Sequence, residues 1–293
     1  RQMDRQISTS FGDGSLPGGD PVDAAFHAAR DRVRLHGDSF SYATLGMTSR
    51  ACRTACSVLV ALRDEPLCIE TRSGRFEGRT LIVAPLRQRR LSAHHAPLLL
   101  VDVEPIHSRF RSLLAATSTA DVLVLEDTLG DELRALGQAF LSHAVEGPVY
   151  DRTLRKAMHH LANHFPEPPP LDERVIWMMR TIEGRPHCSL RELAQSLDLS
   201  PGHACRLFSA HVGVSLRQYA VSAKIRAAAR FLGEGHSLTD VALMAGFADS
   251  AHFAKAWARS YGRAPSESFF SKRLVRDSNA LPEWARQAAT MPA

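Results

Sequence analysis

Residues 189–214 and 237–263 are two copies of one pattern. The first reads SLRELAQSLDLSPGHACRLFSAHVGV and the second SLTDVALMAGFADSAHFAKAWARSYGR. At an offset of 48, Ser189, Leu190, Glu192, Leu193 and Ala194 match Ser237, Leu238, Asp240, Val241 and Ala242. One residue is then inserted, and at an offset of 49 His203, Ala204, Phe208 and Gly213 match His252, Phe253, Trp257 and Gly262. Whatever this region folds into must carry two equivalent helical units side by side.

Each copy reads as a helix-turn-helix. Ser189 and Ser237 are N-caps, each followed three positions later by an acid, the S-x-x-[DE] capping box. Leu190, Leu193 and Ala194 then share a helical face, as do Leu238, Val241 and Ala242. A break follows at Asp198-Leu199-Ser200-Pro201 and at Gly246-Phe247-Ala248-Asp249. Ser200 caps a new helix with Pro201 at its first position, where a missing N–H costs nothing. Asp249 or Ser250 serves the second copy in the same way. Gly213 and Gly262 suit left-handed C-caps. Between the copies, Ser215 to Leu232 contains no Gly or Pro, and Tyr219, Ile225, Ala228, Ala229 and Leu232 form its apolar stripe. As one helix, these residues span about 27 Å at about 1.5 Å each. That is comparable with the roughly 34 Å turn of B-DNA, so such a connector sets two recognition helices into neighbouring major grooves.

From about Leu171 to Lys272 the chain resembles the C-terminal domain of AraC/XylS-family transcription regulators. The most specific match is Thr239-Asp240-Val241-Ala242, Gly246-Phe247, His252-Phe253 and Gly262-x-x-Pro265. Trp257 stands where the family usually has Phe, and Ala204 where it usually has Leu. The glutamine that often precedes the serine of the second recognition helix is absent. The resemblance implies a sequence-specific, double-stranded-DNA-binding regulator. Helical geometry turns Ala204, Leu207 and Phe208 inward. That leaves Gly202, Cys205, Arg206 and Ser209 outward on the first recognition helix. Phe253, Ala256 and Trp257 turn inward on the second, leaving Ser250, Ala251, Ala254, Lys255 and Arg259 outward. These match the family's DNA-contacting positions. Arg206 is the candidate for a bidentate contact to guanine, and Lys255 for a base or a phosphate. His203 and His252, near the helix starts, read as packing residues or phosphate contacts. In an unrelated helix, Arg206 and Lys255 would be ordinary solvated charges.

Charge distribution agrees. Residues 171–273 hold 14 Lys and Arg against 9 Asp and Glu, while the whole chain holds 36 against 31. The positive excess therefore lies in the region expected to meet phosphates. No apolar run approaches the ~20 residues of a membrane helix. Residues 1–30 read as a disordered tail without a signal-peptide core. Cysteines 52, 56, 68, 188 and 205 are odd in number and scattered, which fits a reducing cytoplasm better than a disulfide framework.

Between residues 32 and 104 the pattern becomes β-rich: RVRL, SFSYATLGM, CSVLVAL, LCIETR, RFEGRTLIVAP and PLLLVDV, with a hairpin signal at Ser73-Gly74. A small antiparallel barrel closes such strands. The layout resembles AraC-type regulators with a cupin-like sensor domain. A metal-dependent cupin enzyme would need a His-x-His pair with further His or Glu ligands. Arg50-Ala51-Cys52-Arg53 stands where that pair is expected, and His94 and His95 would point to opposite faces of a strand. Neither a metal set nor a catalytic set is visible, and no cofactor is expected. Arg87, Arg89 and Arg90 read as an exposed basic edge or the lining of an anion site.

After Pro105 the chain reads as helical over 106–117, 129–145 and 149–165. Leu129, Leu133, Leu136, Phe140 and Leu141 form a stripe that either pairs with a second subunit or packs on its own barrel. Pro166-Glu167-Pro168-Pro169-Pro170 is a stiff linker. The expected organisation is α+β: a cupin-like sensor barrel (31–105), a helical or dimerisation region (106–165), the linker (166–170), an all-α double helix-turn-helix domain with a long connecting helix (171–273), and a tail (274–293). The function expected is a cytoplasmic transcription regulator rather than an enzyme. RNA polymerase, a small-molecule effector and a second copy of the chain are further partners this reading leaves room for. The alternatives are a cupin-type metalloenzyme fused to a DNA-binding module, and a regulator whose N-terminal domain only dimerises or holds a protein partner.

Overall fold

The strands of the first hundred residues split into two sheets that share one apolar interior. The computed structural model describes residues 31–94, 96–231, 234–269 and 275–277. The two proposed tails and His95 lie outside them, residues 275–277 excepted. The strands are β1 (Arg32–Leu35), β2 (Ser39–Thr44), β3 (Met47–Ala51), β4 (Cys56–Ala61), β5 (Leu67–Thr71), β6 (Gly74–Gly78), β7 (Thr80–Val83), β8 (Arg89–Ala93), β9 (Leu98–Val103), β10 (Val122–Val124) and β11 (Val275–Asp277). One sheet has the order β10-β7-β4-β9-β2-β1-β11 and the other β3-β8-β5-β6. Pairings are antiparallel except that of β11 along β1, which is parallel. β5 and β6 form a hairpin with Thr71 opposite Gly74, beside the Ser73-Gly74 signal.

β4 and β9 are buried at all six positions. Leu59, Ala61, Leu98 and Leu100 face the barrel interior with Leu67, Ile69 and Leu91. Val58, Val60, Leu99 and Val101 face a layer of helices. A strand covered on both faces has no polar side to display, which is why CSVLVA and LLLVDV are nearly continuous apolar runs.

Several expected elements are redrawn. SFSYATLGM bends after Thr44 into two strands, and RFEGRTLIVAP breaks at Arg79 into β6 and β7. The stretch at Arg87–Arg90 is not a uniform basic edge. β8 sits between β3 and β5, so Arg89 is buried while Arg90 is exposed and Arg87 pairs with Asp121 at 2.8 Å. The region after Pro105 contains a strand, β10, and its helices are shorter than expected: α1 (Phe110–Ala116), α2 (Asp131–Leu141) and α3 (Gly147–Ala162). Part of the expected C-terminal tail returns to the first sheet as β11.

The stripe on α2 is covered by the chain's own core. Leu133, Leu136, Phe140 and Leu141 are buried in the cluster containing Val60, Leu62 and Leu99, and Leu129 packs against it half-buried. The dimer-seam reading of these five residues is therefore corrected to packing on their own barrel. Gly137 allows the close approach, since a Cβ there would meet the Leu62 and Leu99 side chains.

The C-terminal helices are α4 (Glu173–Gly184), α5 (Leu190–Gln195), α6 (Pro201–Val212), α7 (Leu216–Ala229), α8 (Leu238–Met244), α9 (Ser250–Tyr261) and α10 (Pro265–Phe269). The core of the first unit (Leu193, Phe208, Tyr219) is continuous with the helical layer over the barrel. The second unit has its own cluster of Ile225, Val241, Phe247, Phe253 and Trp257. The connector α7 has 14 residues rather than the 18 expected, because after Ala229 the amides of Arg230 and Phe231 reach back only three residues, to Ala227 and Ala228. Its axis is about 21 Å long.

Candidate nucleic-acid interface

Each recognition helix is fixed at both ends by local chemistry. The Ser189–Glu192 box is reciprocal: the Ser189 amide donates to Glu192 Oε2 (2.6 Å) and the Glu192 amide to Ser189 Oγ (3.2 Å). Ser237 caps α8 through the Asp240 amide at 3.1 Å. Ser200 caps α6 through the His203 amide (3.3 Å), and Asp249, rather than Ser250, caps α9 through the His252 amide (2.6 Å). Gly213 and Gly262 close the two helices with φ of 82° and 72°, the left-handed geometry that glycine adopts without strain.

The inward and outward faces fall largely as helical geometry requires, although Leu207, expected inward, is half-buried. Ala204, Phe208, Phe253, Ala256 and Trp257 are buried. Gly202, His203, Arg206, Ala251, His252, Lys255 and Arg259 are exposed, and Cys205, Ser209, Ser250 and Ala254 half-buried. A Cβ on Gly202 would touch Arg206 Nη1 at 3.5 Å, so the guanidinium lies back over the N-terminal turn of α6. That is the end a recognition helix presents to bases. Ser209 donates its hydroxyl back to the Cys205 carbonyl at 2.8 Å. The His252 ring packs edge-on against Phe247, with centroids 5.4 Å apart, which favours packing among the roles weighed for it.

The second unit is also docked on the barrel. The Cys52 amide donates to the Arg259 carbonyl at 2.9 Å, and a Cβ on Gly262 would collide with the Arg50 backbone. On the first unit, a Cβ on Gly213 would strike the Leu114 side chain of the helical layer. His252, Lys255 and Arg259 share the lining of a cleft with Cys52, Thr54 and Leu86 of the barrel domain and Arg217 of α7.

A second cavity, of about 70 Å³, lies between barrel and α9. Its walls include Val33, Phe40, Met47, Leu100, Trp257 and Tyr261, and its polar lining comes from Arg53, Arg89, Asp102 and Arg263. Arg53 Nη1 pairs with Asp102 Oδ2 at 2.9 Å, and its guanidinium lies 4.4 Å over the Tyr261 ring. Arg89 Nη2 is 3.8 Å from Asp102 Oδ1. Burial lowers the Arg89 pKa to about 10 and raises that of Asp102. Burial pushes the Tyr261 hydroxyl up to about 12.

The charges continue into the helical domain. Arg53 Nη2 donates to Glu104 Oε1 at 3.4 Å, and Glu104 Oε2 accepts from Ser222 Oγ (2.7 Å) and Arg226 Nη1 (2.8 Å) on α7. Arg226 Nη2 also binds Glu183 on α4. Glu104, Ser222, Arg226 and Glu183 are not among the residues the sequence points to, whereas Arg89 is, as a candidate lining of an anion site. A further signal is Asp102, an acid inside PLLLVDV, which must find a cation if that run is a buried strand.

Among the described residues, no group of three or more His, Cys, Asp or Glu could hold a metal. No described helix is long and apolar enough to cross a membrane.

Residues 193–269 match the family model described as Helix-turn-helix domain. Among curated proteins, none matches this chain in sequence. Among solved structures, the chain is similar to ToxT from Vibrio cholerae O395, with 12% identity and a TM-score of 0.53 over 79% of this chain and 96% of that one. An apo variant of ToxT from Vibrio cholerae strain SCE256 gives 11% identity and a TM-score of 0.54, again over 79% of this chain and 96% of that one. ToxT from strain O395 bound to (E)-4-(8-methylnaphthalen-1-yl)but-3-enoic acid gives 12% and 0.52, over 79% and 97%. The class defined is a helix-turn-helix domain behind a two-sheet barrel. The chain carries that domain at its C-terminal end, and its two-domain fold is the one found in ToxT.

Proposed function

We propose that this chain is a cytoplasmic, sequence-specific transcription regulator that acts without enzymatic turnover and reads two successive major grooves with α6 and α9. The observation that carries this reading is the pair of capped recognition helices with Gly202, Arg206, Lys255 and Arg259 outward and exposed. Arg206 is assigned to guanine, Lys255 to a base or phosphate, and Arg259, His203 and Ser250 to the backbone. Small outward residues (Ala251, Ala254, Cys205) leave room for thymine methyls and for readout of groove shape. Selection of bound duplexes from randomised DNA tests the reading. A bipartite consensus supports it, and enrichment no better than chance would sink it.

The cavity between barrel and α9 is proposed to hold the effector, a small apolar acid. Its aromatic and aliphatic walls suit a hydrocarbon body, and Arg53 and Arg89 suit a carboxylate. ToxT bound to a naphthyl-butenoic acid supports the same class. A carboxylate entering there competes with Asp102 and Glu104 for Arg53, and so acts on the Glu104–Arg226 contact to the connector. Titrating a medium-chain fatty acid while following DNA affinity tests it. A saturable change that Arg89→Met abolishes is expected, and an unchanged affinity in wild type would refute the effector reading without touching DNA binding.

A further inference from the structure

A further cleft in the barrel domain shares no lining residue with the proposed effector cavity. It is bounded by the turn after β1 (His36, Asp38, Ser39), the segment after β9 (His107, Ser108, Arg109) and one face of α3 (Asp151, Leu154, Arg155, Met158, His159), and its volume is about 190 Å³. Its charges do not cancel. Asp151 is already bound by Arg34, and by His36 Nδ1 at 2.9 Å. His36 Nε2 is occupied by Ser41 Oγ at 3.0 Å. The remaining acid is Asp38, whose side chain is met by the Ser39 hydroxyl at 3.2 Å. Against it stand Arg109, Arg155, His107 and His159. Arg109 Nη2 contacts the His159 ring, and Arg155 has no hydrogen-bond or ion-pair partner among the described residues.

The histidines add donors. The Arg109 amide donates to His107 Nδ1 at 3.0 Å, which assigns the neutral ring's proton to Nε2. Burial, together with the positive charge of His36, Arg109 and Arg155, holds His107 below its ordinary pKa, opposed by Asp38. A cleft with two guanidinium groups, no carboxylate paired to them and imidazole N–H groups beside them is a receptor for a compact, multiply charged oxyanion. We propose that this cleft binds the phosphate group of a small phosphate monoester, held by Arg109 and Arg155, with Asp38 accepting from a hydroxyl of the esterified part. The site is a second ligand site, independent of the effector cavity and of DNA.

The test is calorimetric titration of the full chain with inorganic phosphate in a phosphate-free, low-salt buffer, repeated with malonate. Wild type should bind phosphate saturably at one site per chain. Arg155→Ala and Arg109→Ala should each weaken binding at least about tenfold. Arg152→Ala, an exposed residue of α3 that does not line the cleft, should leave it unchanged. Because the Arg155 side chain is exposed and unpartnered, Arg155→Ala should keep the wild-type melting temperature. In a parallel titration followed by NMR the His107 ring resonances should move toward the protonated form, since a bound anion raises its pKa. Absence of saturable binding up to about 10 mM, a loss on Arg152→Ala equal to that on Arg155→Ala, or malonate binding as tightly as phosphate would each overturn the assignment. Neither DNA nor a fatty acid enters the experiment, so its outcome is separate from that of the proposed function.

Discussion

Arg206 is the side chain whose proposed role makes the sharpest demand. It is exposed, lies over Gly202, and sits in the first half of a helix whose opposite face is locked by Ala204 and Phe208. A bidentate guanine contact there predicts that Arg206→Ala weakens specific binding by about 1–3 kcal/mol and relaxes preference at one base pair. Competition binding against every single-base variant of the selected site measures this. A loss equal on all sequences would make Arg206 a phosphate contact instead. Arg226 makes a different demand, on stability. It is nearly enclosed between Glu104 and Glu183, with side-chain exposures of 8%, 6% and 4%. Removing the cation takes the ion-pair partner from buried Glu183 and leaves Glu104 with Arg53 and Ser222, so Arg226→Ala should destabilise the fold by about 3 kcal/mol in denaturant unfolding. A loss below about 1 kcal/mol would show that water reaches these carboxylates in the native state.

At the scale of elements, what was legible in the chain was what local rules decide. Ser189, Ser200, Ser237, Gly213 and Gly262 were readable as caps because capping depends on a few neighbouring residues. The strands RVRL, CSVLVA, LCIET and LLLVDV were readable from their composition. Less legible was anything settled by distant partners. β8 looked like a basic edge because Arg89 is ionic, yet its charge is absorbed by Asp102, thirteen positions on. β10 has three residues, too few to set a period. The α2 stripe had the same pattern whether it met a second chain or Leu62 and Leu99 of its own barrel. The recognition faces could be derived, whereas the effector cavity could not, since Arg53, Asp102 and Tyr261 meet only on folding. Gly262 carries information on both counts. Its positive φ was expected of a C-cap, but its contact with Arg50 was not. Gly262→Ala should therefore cost the left-handed strain of about 1–2 kcal/mol plus the displacement of β3. Gly246→Ala, also at positive φ but with its nearest contact at 3.5 Å, should cost only the strain. Equal losses for the two variants in chemical unfolding would mean the α9–β3 contact is loose.

On the scale of the whole molecule, the barrel and the two reading units form one mechanical chain. The proposed effector cavity is walled on one side by α9, and its Arg53 connects through Glu104 to Arg226 on α7, the helix that separates the two units. α7 buries residues on most of its circumference, from Leu216 through Tyr219 and Ile225 to Ala229, which opposes bending. In the proposed function, its fixed length is what would turn two small recognition helices into one reader of a defined spacing. The measurement that tests this directly is DNA affinity of the full chain as the spacing between the two halves of its selected site is changed. Contacts should fall in two clusters about 10–10.5 base pairs apart on one face of the duplex. Inserting five base pairs should abolish specific binding and leave a weak, salt-sensitive interaction. Inserting a full turn should not restore it, because α7 cannot lengthen. Recovery of tight binding on the full-turn site would contradict the rigid two-groove reader at the centre of this account.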